Sequence, residues 1–193
     1  MKYQYLLGIV ACSAVLSGCS SGTAKKQVAE SDGEEIAFAD PTIIRENGKY
    51  YLTGTGDNHP QGFTMLESAD LRTWQVMTGD SVQYLLKEGD NVFGDKGFWA
   101  PQWFRNGTRC YLTYTANEQT VLAEADSWKG PFVQNTIKPI DGSEKNIDSF
   151  LFKDDDGKYY LYHVRFNHGN YIWVGEFDLQ KGAIKPETLK KCL

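Results

Sequence analysis

Two aspartates, Asp40 and Asp148, stand just ahead of short apolar stretches at matching points of a recurring pattern. A lone aspartate in such a place ordinarily braces a turn by accepting backbone N–H groups. Two in matching register can do more: if the fold brings both to one cavity, they form a carboxyl pair suited to general acid–base work on water and a leaving oxygen. Phe98, Trp99 and Gln102 occupy the corresponding stretch between them, where an aromatic either faces a ligand or packs between elements. His163 and Arg165, with His168 beyond, read as loop residues after a later strand (YHVRFNHGNY), placed to touch a ligand or a central ion or simply solvated. Asp70 and Asp126 follow a different strand and read as turn braces, and the acidic run at residues 154–156 reads as a hairpin turn, since it lacks the later Glu of a calcium loop. Other chemistries are excluded. The chain has no Gly-rich phosphate loop, no Ser-His-Asp arrangement and no Cys/His cluster with zinc spacing. With 20 Lys+Arg against 25 Asp+Glu and a net charge of −5, it has no basic stripe for nucleic acid.

A repeat must position these residues. Residues 40–55 (DPTIIRENGKYYLTGT), 99–115 (WAPQWFRNGTRCYLTYT) and 148–164 (DSFLFKDDDGKYYLYHV) each contain a strand, a turn and a second strand with Tyr-Leu or Tyr-Tyr-Leu. The turns carry Asn47-Gly48, Asn106-Gly107 and Asp156-Gly157, pairs that accept the positive φ of tight hairpins. The anchoring Leu52, Leu112 and Leu161 stand 60 and 49 residues apart. After each hairpin a third strand runs into Asp70, Asp126 or Asp178, followed by a turn and the start of a fourth strand. Four antiparallel strands returning at this interval are the pattern of a propeller blade. Eleven Tyr, 10 Phe, 5 Trp and 19 Gly suit strands and turns. No sustained 3.6-residue apolar period occurs outside the N-terminus, so helices are predicted to be rare. The expected fold is all-β, a β-propeller; a sandwich or jelly roll would not return the same motifs in the same order.

Ala39-Asp40-Pro41 with Lys49-Tyr50-Tyr51-Leu52 opens the first unit, which continues through Ser68-Ala69-Asp70-Leu71-Arg72-Thr73-Trp74. Phe98-Trp99-Ala100-Pro101 and Gly130-Pro131-Phe132 mark the second, and Ile147-Asp148 with Asp156-Gly157-Lys158-Tyr159-Tyr160-Leu161 the third. Together these motifs resemble the family 43 glycoside hydrolases, five-bladed β-propellers of arabinan and xylan breakdown, from about Ala37 to the last residue. The resemblance implies that Asp40 is the general base that activates water and that Asp148 tunes and orients a general acid. The reaction would be inverting hydrolysis of arabinose- or xylose-containing polysaccharide or oligosaccharide, which needs acid and base ~6.5–9.5 Å apart. Trp99, Phe98, Gln102, His163 and Arg165 are the candidate substrate-binding residues. No cofactor is required, a central calcium ion is left open, and the complete protein is expected to be a monomer. Two departures stand out. Ser149 replaces a Pro that many relatives carry, and the general-acid Glu in its Glu-Gly/Ala-Pro motif is missing, Glu176 and Glu187 lying in unlike contexts. The chain alone is therefore expected to be inactive or nearly so; the alternative reading is a non-catalytic carbohydrate-binding propeller at the cell surface.

Residues 1–18 read as a lipoprotein signal peptide. Lys2 precedes an apolar run of 13 residues from Leu6 to Gly18, which ends in Leu16-Ser17-Gly18-Cys19. As a helix that run would span ~20 Å, short of the ~30 Å needed to cross a bilayer. Cys19 is the expected lipidation site, anchoring the exported protein at the outer membrane or cell surface, and residues 19–35 are a polar tether. Residues 36–193 remain for the propeller domain. Against a period of 49–60 residues that is enough for about three blades, so a truncated reading frame is expected.

Overall fold

Each of the three Gly-containing turns closes an antiparallel hairpin, with Gly48, Gly107 and Gly157 all at positive φ. The computed structural model describes residues 36–57, 60–77 and 83–193; the signal peptide, Cys19 and the tether lie outside the described residues. The first blade opens with β1 (Ala39–Glu46) and β2 (Lys49–Thr55). The chain then forms β3 (Gly62–Thr64) before returning with β4 (Leu66–Ser68) and β5 (Gln75–Val76), in sheet order β1-β2-β4-β5. β3 pairs instead with β6 (Tyr84–Lys87) in a small ribbon, so the residues from Phe63 to Asp70, expected as one third strand, split between this ribbon and β4.

The second blade is β7 (Trp99–Asn106), β8 (Arg109–Ala116) and β9 (Gln119–Ala125), extended by a single bridge from Glu124 to Val133. The third is β10 (Asn146–Lys153), β11 (Tyr159–Phe166), β12 (Asn170–Asp178) and β13 (Ala183–Ile184), with β14 (Lys190–Lys191) also on β12. The one helical turn among the described residues is the 3-10 segment Pro186–Thr188.

First strands pack on first strands: β7 lies against β1 on one side and β10 on the other. The larger core joins the first blade and the β3–β6 ribbon to the second through Phe63, Met65, Leu85, Trp103, Leu112 and Tyr114. The smaller joins the second blade to the third through Leu151, Leu161 and Phe177 against Phe104, Leu122 and Ile140. All three repeat leucines, Leu52, Leu112 and Leu161, are buried; each contributes about 1.5–3 kcal/mol by leaving water. Strand alternation gives the third blade a second apolar face, where Phe150, Phe152, Tyr162 and Ile172 meet solvent.

Candidate active site

The first strand of every blade is bulged at the same place. Asp40 and Pro41 stand opposite the single residue Gly54, Ala100 and Pro101 opposite Tyr114, and Asp148 and Ser149 opposite His163. The leading residue of each bulge is left-handed, with φ of 49° at Asp40, 45° at Ala100 and 54° at Asp148. For a non-glycine residue that conformation costs roughly 1–2 kcal/mol. Its threefold recurrence means that blade packing imposes it, and a bulge re-aims the side chain it carries. Proline suits the second position at 41 and 101, since it has no N–H to leave unpaired.

The three bulges converge. A cavity of about 530 Å³ is lined by β1, β7 and β10, including Asp40, Thr42, Ala100, Gln102, Asp148 and Phe150. Asp40 and Asp148 are its only carboxyl groups among the described residues. Loss of hydration against the cavity wall raises the Asp148 carboxyl above its ordinary value, and the negative charge of Asp40 pushes it the same way. The two aspartates are therefore close enough to sense each other. Asp40 is held from outside its own strand. The Thr55 hydroxyl donates to Asp40 Oδ2 at 2.9 Å and accepts the Ala100 N–H at 2.9 Å. In the next blade Thr115 Oγ1 accepts the Asp148 N–H at 3.1 Å.

Gln102 also lines this cavity, with its amide engaged at both ends: Oε1 accepts the Leu151 N–H at 3.0 Å and Nε2 donates to the Trp103 carbonyl at 3.0 Å. Trp99, next to the second bulge, is 42% exposed, and its indole lies over Gly97, where any Cβ would meet the ring at 2.8 Å. Phe98 goes the other way. It is 4% exposed and stacks on Tyr114 at 5.9 Å within the core, and it does not line the cavity.

His163 and Arg165 are not loop residues, because β11 continues to Phe166 and carries both into the interface with the second blade. Arg165 pairs with Asp141 at 3.1 Å and Glu144 at 3.2 Å, and its guanidinium lies over Trp173. His163 is 2% exposed and neither ring nitrogen has a hydrogen-bond partner. Burial, then the nearby Arg165 charge, lowers it to about 4. Beside them Asn146 is fully buried; its Oδ1 accepts the Thr120 N–H, and its amide donates to the carbonyls of Asp141 and Glu144.

The peripheral acids do structural work. Asp70 accepts the N–H groups of Arg72 and Thr73, Asp178 those of Gln180 and Lys181, and Asp126 pairs with Arg109. Glu176, on β12, is engaged by Lys185 and Lys158. Cys110 is buried, Cys192 is exposed, and both are free thiols. Among the described residues no group of three or more His, Cys, Asp or Glu side chains is arranged to hold a metal ion. Thr55 and Thr115 escaped the sequence reading. The signal was the repeated Thr-x-Thr that closes two of the hairpins, Thr53 and Thr55 in one, Thr113 and Thr115 in the other.

Comparison with known proteins agrees with this geometry. The profile of Glycosyl hydrolases family 43 matches residues 35–192. The beta-xylosidase of Xylanibacter ruminicola is 31% identical over 167 residues, covering 78% of this chain and 51% of that protein. A curated Escherichia coli (strain K12) relative is 32% identical over 166 residues, and the chain spans 30% of its length. Among solved structures, an endo-1,4-beta-xylanase from Bacteroides thetaiotaomicron VPI-5482 superposes with a TM-score of 0.73 at 39% identity, over 81% of this chain and 53% of that one. A thermostable family-43 glycoside hydrolase gives a TM-score of 0.68 at 27% identity, again over 81% and 53%. The chain thus spans about half or less of the length of these relatives.

Proposed function

The chain belongs to glycosyl hydrolases family 43, and from that premise we propose inverting hydrolysis of xylose- or arabinose-containing polysaccharides and oligosaccharides by single displacement. The observation that carries this reading is the pair of carboxylates on matching bulges at one cavity. Asp40, held as a hydrogen-bond acceptor by Thr55, takes the proton from the attacking water. Asp148, raised by its surroundings, orients and tunes the acid that protonates the leaving oxygen. That acid is a glutamate which the described cavity wall does not contain, so residues 36–193 alone would lack a contribution of typically ~10²–10⁴ and show little or no turnover. Gln102 contributes to the cavity wall, and exposed Trp99, which precedes the Ala100 bulge without lining the cavity, would offer an aromatic face to a sugar ring that extends beyond it. Xylosidase and xylanase relatives support a pentose substrate.

The test is hydrolysis of xylan, arabinan and aryl pentosides by the full-length protein and its Asp40→Asn variant, with the anomeric product followed by NMR. Loss of turnover in the variant with inverted product supports the assignment. Undiminished hydrolysis in Asp40→Asn refutes it. Sugar binding with no hydrolysis by the unaltered protein points instead to a carbohydrate-binding propeller. From the N-terminal apolar run ending at Cys19 we also propose export and anchoring at a membrane surface through lipidated Cys19, and radiolabelled palmitate incorporation that persists in Cys19→Ser would overturn that assignment.

A further inference from the structure

A bulge takes its leading N–H out of the strand ladder, so that group needs another partner. In the second and third blades the partner is a hydroxyl from the preceding blade: Thr55 for Ala100 and Thr115 for Asp148, at 2.9 and 3.1 Å. Thr55 and Thr115 occupy one register, each paired with the residue just before its own blade's bulge, Ala39 and Trp99. A threonine hydroxyl has one proton and two lone pairs. With a lone pair of Thr55 taken by Ala100, its proton points at Asp40 Oδ2, 2.9 Å away. The links form a chain from Asp40 through Thr55 to the second bulge, and from Thr115, paired with Trp99 beside that bulge, to the backbone of Asp148.

We propose that Thr55 and Thr115 are positioning residues, latching each carboxylate-bearing bulge to the neighbouring blade and so setting how Asp40 and Asp148 face one another across the cavity. The latch itself is independent of the reaction; its catalytic consequence rests on the hydrolase reading above. Val164 holds the same register in the third blade, paired with Ile147. A branched side chain of this shape without a hydroxyl therefore fits the position, and Thr→Val removes the hydrogen bonds with little change of packing.

The experiment uses the full-length protein with Thr55→Val, Thr115→Val and the corresponding Ser variants. A displacement of about 1 Å at a reacting group can cost on the order of 10²-fold in rate. Each Val variant is thus expected to lose roughly 10–100-fold in kcat with KM little changed, and each Ser variant to recover most of that loss. Amide spectra read the latch directly: the Ala100 N–H should move upfield in Thr55→Val and the Asp148 N–H in Thr115→Val, returning in the Ser variants. Unmoved amides overturn the latch. Moved amides with unchanged kcat overturn the positioning role and leave a mere fastening between blades. If the unaltered protein hydrolyses no glycan, the hydrolase reading fails, and the amide shifts alone decide whether the latch stands.

Discussion

Replacing His163 with Gln should flatten the acid limb of this protein's stability curve. His163 is 2% exposed at the interface of the second and third blades, with the Arg165 cation on its own strand and Asp141 and Glu144 on the loop packed against it. Its native value of about 4 lies below the ordinary 6.5 to which it returns on unfolding. The unfolded chain therefore binds a proton first. The stabilisation from a neutral imidazole is complete above about pH 6.5 and is lost as the pH falls toward 4, on the order of 3 kcal/mol by pH 4. Against a total of roughly 5–15 kcal/mol that loss is large. Urea unfolding from pH 7 to pH 4 on the unaltered protein and His163→Gln measures it, because the neighbouring carboxylates are common to both and largely cancel in the difference. Parallel stability curves would refute the reasoning, as would an imidazole Cε1 resonance titrating near 6.5 in the native state.

Asn146→Ala should cost about 2–4 kcal/mol, since it strands the buried Thr120 N–H and removes the donors to the Asp141 and Glu144 carbonyls; a loss below about 1 kcal/mol in denaturant titration would contradict that network. Asp148→Asn should raise the melting temperature at pH 7 while lowering turnover. Because its native carboxyl sits above the ordinary 3.8, stability falls as pH rises between those two values, and the deficit persists above them. The variant's advantage should therefore vanish near pH 3, and a variant no more stable than its parent at neutral pH would count against the strain at this site.

Features governed by neighbours in the chain were legible in advance. The three turns, the buried leucines at the start of each period and the Asp70 brace all follow from residues within a few positions of each other. The matching register of Asp40 and Asp148 was legible too, but the bulge that makes it useful was not, since bulging is set by how one first strand packs on the next. Phe98 and Trp99 show the limit. Adjacent residues at a strand's start point oppositely, and only the packed core decides that Phe98 goes inward to Tyr114 while Trp99 stays out. Arg165 was misplaced for a related reason: its polar neighbourhood reads as a loop, whereas Asp141 and Glu144, distant in the chain, neutralise it inside a strand. The β3–β6 ribbon depends likewise on pairing that a local pattern does not encode.

The third blade's outward row of Phe150, Phe152, Tyr162 and Ile172 has a colloidal consequence. It frames a shallow apolar hollow of about 590 Å³. Contiguous apolar surface of this kind, flanked by strand backbone, acts as an adhesive in water. A solution of residues 36–193 should therefore brighten hydrophobic dyes and sediment as a mixture whose mean mass climbs with concentration. Swapping Phe150 and Phe152 for lysine should turn that sticky dispersion into a monodisperse one without disturbing the core around Leu151, Leu161 and Phe177 on the blade's other face.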